Sequence, residues 1–183
     1  MAQYDLLVIG TGPAGQKAAV QAAKLGKKVG IIERKEVVGG VCTNTGTIPS
    51  KSLREAVLYL SGFRQRTLYG AEYRLKNKIT IEDLAFRTNH IIKNEIEIVQ
   101  NQMARNRIDL IYGTARFLDP HRLFIERLGA SDEHRAHAII IAVGTEPARP
   151  AEIPFDAPTI IDTAGFLRLA HIPTSIAIVG GGV

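Results

Sequence analysis

The sequence predicts an α/β protein: a doubly wound parallel sheet that carries a helical excursion and a small β-meander. Three features predict it. A short apolar run, "YDLLVIG", ends in glycine as a buried parallel strand does. An Ala-rich helical pattern and a second apolar run, "KKVGIIE", then complete a βαβ unit within the first 33 residues. Far along the chain "AIIIAVG", Ala138 to Gly144, supplies a late parallel strand.

The elements follow in order. The first helix, "PAGQKAAVQAAKLG", has Pro13 near its start and Gly26 after its end, where each residue suits the helix terminus. Beyond a Gly/Thr-rich turn, "PSKSLREAVLYLSGFRQR" reads as a helix with Leu53, Val57, Leu60 and Phe63 at helical spacing. A polar break, "YGAEYRLKNK", precedes a longer helical pattern from Ile81 to Arg107, whose apolar set is Ile91, Ile92, Ile96, Ile98, Val99 and Met103. Strands return in "IDLIYG", "TARFLD" and "RLFIERL", and the proline-rich residues 145–158 read as a connector. "PTSIAIVGGGV" then repeats the pattern of the opening strand and stops within a Gly-x-Gly, Gly180 and Gly182. The expected organisation is one domain over 1–147, then over 148–183 a connector and the first strands of a second nucleotide-binding domain, the chain being the N-terminal part of a longer protein. A terminal strand that merely ends in glycines is the alternative.

Composition excludes several classes. The 183 residues are 45% apolar with 17 glycines, enough for a sizeable core. A net charge of +5 suits an anionic ligand, but it is spread without a basic block or interleaved aromatics, which argues against nucleic acid. A single cysteine rules out an intrachain disulfide framework, and no Cys/His cluster has metal-ligand spacing, so no metal is expected. His134 and His137 have helix-face spacing and read as surface residues. No signal peptide or membrane-length apolar run is visible, and a soluble, cytoplasmic protein is the expectation.

The chemistry begins at "GTGPAG", where Gly10, Gly12 and Gly15 stand in Gly-x-Gly-x-x-Gly spacing after a strand and open a helix. Gly10 permits the tight turn, Gly12 lets the backbone approach a pyrophosphate, and Gly15 allows close strand–helix packing, with Pro13 and Ala14 in the first turn. Glu33, ending the second strand, is placed to accept from ribose hydroxyls, and Arg34 follows it. The lone cysteine lies in "VGGVCTNTGTIPSKSLR".

The segment "GG-x-C" followed by "G-x-IPSK" resembles the flavoprotein disulfide reductases. In that family the segment runs C-x4-C, and the two cysteines form a redox disulfide beside FAD. Four residues on from Cys42 the chain has Thr47, so the dithiol relay is absent. The fuller stretch "GG-x-CT-x-x-GTIPSK-x-LR" resembles the soluble pyridine nucleotide transhydrogenases of the same superfamily, and the superfamily likeness extends over essentially the whole chain. It implies a Rossmann-like FAD-binding domain and FAD-mediated hydride exchange between NADPH and NAD, with NAD(P)(H) as substrates held by the second domain. It also implies a homo-oligomer in which the long helices pack on the sheet and a neighbouring subunit.

By that resemblance Gly39 and Gly40 approach the cofactor's pyrophosphate and ribityl chain, and Cys42, Thr43 and Thr47 lie beside the flavin. Lys51 sits near flavin N5, where a cation stabilises negative charge. Ala142, Gly144 and Thr145 close over the FAD, with Val143 where the family often has Thr. Thr114 and Ala115 contact the adenine. Gly180 and Gly182 belong to the nicotinamide site. Two rivals remain open: a dithiol-type reductase that borrows a thiol from elsewhere, as in dihydrolipoamide dehydrogenase-like enzymes, and a non-catalytic FAD-binding protein. Cys42 reads as a residual thiol beside the cofactor.

Overall fold

The computed structural model describes residues 2–127, 129–157 and 159–180. The first βαβ unit is β1 (Ala2–Ile9), α1 (Pro13–Lys24) and β2 (Val29–Glu33). Leu6, Leu7 and Val8 of β1 and all of β2 are buried, as continuous apolar runs in a parallel sheet should be. A helical excursion follows: α2 (Gly40–Asn44), α3 (Thr47–Leu60), α4 (Arg66–Tyr69) and α5 (Ile81–Arg105). α5 starts where Thr80 and Asp83 close a reciprocal capping box, with Glu82 and Asp83 at the positive end of the helix dipole. Lys76 reaches Asp83 at 2.5 Å and holds the preceding loop to that cap.

The chain returns through β3 (Asp109–Tyr112), β4 (Thr114–Asp119), β5 (Arg122–Arg127) and β6 (Ala130–Ile141), with a short helix α6 (Thr163–Phe166) beyond. Among the described residues one six-stranded sheet forms in the order β3-β2-β1-β6-β5-β4. Its β3-β2-β1-β6 part is parallel, and β4, β5 and the first half of β6 are an antiparallel meander. The α/β class, the parallel sheet, the excursion and the meander are therefore those the sequence predicts. Helices α1 and α5 cover one face, where Val8, Val20, Ile31, Val99 and Met103 form a core. On the other face Leu123 and Ile125 of β5 pack with Leu7, Ile32 and Tyr4, so the ribbon covers that face near the first strand. No helix among the described residues is long and apolar enough to cross a membrane.

Five local expectations are corrected. β6 starts eight residues before the apolar run at Ala138, because "ASDEHRAH" is held by ladder bonds to β5 rather than by its own propensity. His134 and His137 are therefore on a strand, and the His134 ring is packed 5.9 Å from that of Tyr4. α3 buries Pro49, Ser52 and Ala56, whereas Val57 is exposed and Phe63 lies exposed beyond the helix end; α3 packs through its smaller side chains. Ile98 on α5 is likewise exposed. The strand expected in "PTSIAIVG" does not form: residues up to Gly180 pair with no strand among those described, and Ile178 and Val179 are exposed. A parallel strand has no internal hydrogen bonds, so without neighbours its backbone stays solvated.

Tyr4 offers a direct test of the packing around β1. It is buried, and that burial, with the Asp109 carboxylate beside it, pushes its phenol up to about 12. The unfolded chain ionises first, near the ordinary value of about 10, and binds fewer protons above it. Stability is then expected to fall by about 2 kcal/mol as pH rises from 10 to 12. Urea midpoints across that range should show the loss in the native chain and a smaller one in Tyr4→Phe.

Candidate functional site

The site is built at the carboxyl ends of β1, β2 and β6. Gly10 leaves β1 with φ +108°, and a side chain there would run into the Ala142 carbonyl. That carbonyl is fixed because the Ala142 amide donates to Ile9 O at 2.8 Å. Gly15 is buried in the first turn of α1, its α-carbon turned onto the Gly10 carbonyl, so strand and helix meet more closely than any side chain permits. Gly12 is the N-cap residue and has open space where a side chain would begin. Pro13 occupies the start of α1, no side chain caps the helix, and no acid lies in its first turn. The first-turn amides, with exposed Ala14 among them, thus keep their donors and the dipole's positive end for an anion.

Beside this turn lies a second glycine pair. Gly40 packs against Gly12, where an added Cβ would stand 2.9 Å from its Cα, and buried Thr43 packs under Gly39. Glu33 is buried at the end of β2, with Lys35 N donating to Oε1 at 2.9 Å and the Thr11 hydroxyl donating to Oε2. Gly39 N donates to the same Thr11 hydroxyl at 3.1 Å. Thr11 was no candidate from sequence, since it occupies an unconstrained place between two glycines. Its one sequence signal is a hydroxyl where the motif needs none.

Arg34, next to Glu33 in sequence, borders a cleft of about 820 Å³ whose wall also includes Glu36, Tyr112, Thr114, Glu126 and Arg127. Arg34 and Thr114, far apart in sequence, therefore meet on one cavity. Ala115 does not border it; its side chain joins the core beside Ile125. Arg34 also pairs with Glu146 at 2.5 Å, an exposed bridge across the rim.

Just past the second glycine pair, Cys42 is a free, half-buried thiol on α2. Thr47 opens α3 and Lys51 follows one turn later, both exposed on one helix face. Gly144, at φ +74°, and Thr145 are exposed just past β6. Gly180 ends an exposed unpaired stretch and is not gathered into the cradle, and Gly182 lies outside the described residues.

The cradle fits a dinucleotide. A glycine turn and an uncapped helix start suit a pyrophosphate, a buried carboxylate suits a ribose diol, and the cleft gives a base room. A family model described as pyridine nucleotide-disulphide oxidoreductase matches residues 4–183. A soluble pyridine nucleotide transhydrogenase of Mycobacterium tuberculosis is 54% identical over 185 residues, covering 100% of this chain and 40% of the relative. One from Colwellia psychrerythraea is 39% identical, covering 98% of this chain and 39% of its own length. Among solved structures, a Cu(II) complex of the HOCl-induced flavoprotein disulfide reductase RclA from Escherichia coli superposes with TM-score 0.74 at 29% identity. That match covers 92% of this chain and 35% of the other. The chain spans about 40% of the length of the curated relatives it matches.

Proposed function

The chain belongs to the pyridine nucleotide-disulphide oxidoreductase family, and from that premise we propose that it forms the FAD-binding part of a soluble pyridine nucleotide transhydrogenase. When bound, FAD supplies the two-electron centre through which a hydride passes between NADPH and NAD. The observation that carries this reading is the loop at Cys42. Its thiol is free, and Thr47 stands where the disulfide reductases place their second cysteine, so the loop offers the cofactor no dithiol. The 54% identity to a relative named as a transhydrogenase supports the same choice.

Each group of residues then has a task. The α1 start at Gly12, Pro13, Ala14 and Gly15 would hold the pyrophosphate, with Gly10 shaping the turn. Glu33 would accept from the adenosine ribose, and Arg34 and Thr114 would flank the base. Gly39, Gly40, Cys42, Thr43 and Thr47 would line the flavin side, with Ala142, Gly144 and Thr145 opposite. Lys51 would bring its ammonium toward the ring; among the described residues it makes no ion pair that would neutralise it. Residues 1–147 would act as the FAD-binding unit and 148–183 as the lead into a nicotinamide-binding domain. Exposed Phe63, Leu68 and Phe86 on the helical excursion would face a second subunit. A reducing compartment such as the cytoplasm suits the lone thiol.

A chimaera tests the proposal, with this chain replacing the aligned segment of the Mycobacterium tuberculosis relative. Loaded with FAD, it is expected to pass a hydride from NADPH to thio-NAD and to leave lipoamide and glutathione disulfide unreduced. Turnover of either disulfide, with a thiolate-to-flavin charge-transfer band lost in Cys42→Ser, would overturn the reading in favour of a dithiol-type reductase. FAD binding without any reduction by NADPH would leave only a binding role.

A further inference from the structure

We infer that Thr11 is the positioning residue that aims the Glu33 carboxylate at the ribose diol of the bound dinucleotide, an inference that rests on the FAD reading above. Thr11 is 1% exposed and Glu33 6%, so the pair has little bulk water around it and depends on protein donors. Three separate segments meet on Thr11. Its hydroxyl accepts from Gly39 N at 3.1 Å and donates to Glu33 Oε2, and its carbonyl accepts from Gln16 Nε2 at 2.7 Å. Because the Gly39 amide can only donate, the hydroxyl proton is left to point at the carboxylate.

Glu33 is thereby held by a donor on each oxygen, Thr11 on Oε2 and Lys35 N on Oε1. Turning the carboxylate plane would break both bonds at once. Oε2 also accepts from Thr11 N at 3.4 Å, whereas Oε1 has only the Lys35 amide and keeps an acceptor site for a ribose hydroxyl. Removing the Thr11 hydroxyl would leave the Gly39 amide without its buried acceptor and Glu33 Oε2 with only the long 3.4 Å bond from Thr11 N, loosening the carboxylate's orientation. Thr11 touches no reacting atom; it acts through Glu33.

The test compares the affinity of the full chain for FAD and for the 2′-deoxyadenosine analogue of FAD. The native chain is expected to prefer FAD by about tenfold, the worth of a hydrogen bond to a charged group. Thr11→Val is expected to weaken FAD by about tenfold and the analogue little, bringing the ratio near one, while Thr11→Ser keeps the native ratio. A merely structural role would weaken both ligands equally, and an unchanged ratio in Thr11→Val overturns the inference. If Thr11→Val does not fold, Thr11→Cys, which keeps a γ atom but donates weakly, is read by the same ratio. A native chain that binds both ligands equally also overturns it. One that binds neither removes the dinucleotide reading itself, a result distinct from binding with a preference that Thr11→Val preserves.

Discussion

Gly10→Ala is expected to destabilise the chain by more than about 3 kcal/mol, while the same change at Gly12, two residues along, costs about 1 kcal/mol or less. Gly10 combines a backbone at φ +108° with a site where Cβ meets the Ala142 carbonyl. Side-chain-bearing residues avoid that conformation, and the colliding group is backbone that cannot rotate away. Relief requires the ends of β1 and β6 to part, which breaks the 2.8 Å bond from Ala142 N to Ile9 O. Gly12 has φ −67° and open space at its Cβ position. Its methyl would instead occupy the room proposed for the pyrophosphate. Urea denaturation should separate the two variants by midpoint, and FAD titration of the stable Gly12→Ala should show weakened binding. Equal midpoints would contradict the packing described for the turn.

Lys51→Ala is expected to act in the opposite sense: hydride transfer from NADPH to thio-NAD in the chimaera slows about a hundredfold while the denaturation midpoint stays put. Lys51 is exposed on α3 and alanine is a good helix former, so the substitution removes charge without disturbing packing. The loss would come from a cation no longer present where negative charge develops. Stopped-flow traces at equal FAD occupancy supply the measurement. A variant as fast as its parent would reduce Lys51 to an ordinary surface residue.

Much of the fold was legible because its strongest signals are local. β1, β2 and β3 are short apolar runs beside glycine or polar turns, α1 carries its boundaries in Pro13 and Gly26, and α5 shows in its apolar spacing. What escaped depends on partners distant in sequence. "ASDEHRAH" has no strand pattern of its own and becomes the first eight of the twelve residues of β6 through its pairing with β5 and β1. On α3 the large residues are the conspicuous ones, yet Ser52 and Ala56 are buried because small side chains let helices approach closely. In the candidate site, the glycines and Glu33 announce themselves by spacing. Thr11 does not, since its importance lies in bonds to residues 22 and 28 positions away.

The pairing of β1 with β6 has a consequence for how the chain is made. The register joins Ala2 to His134 and Ile9 to Ile141, a separation of about 130 residues. At about 5–20 residues per second, a ribosome takes roughly 7 to 26 s to deliver the second strand after the first. Through that interval β1 can pair with β2 along one side, but its other side presents bare amides and carbonyls flanked by Leu6, Leu7 and Val8. The nascent chain therefore carries an adhesive β edge for many seconds. Slowed elongation before Ala138 should lengthen that exposure and raise the insoluble fraction, whereas holdase chaperones should lower it.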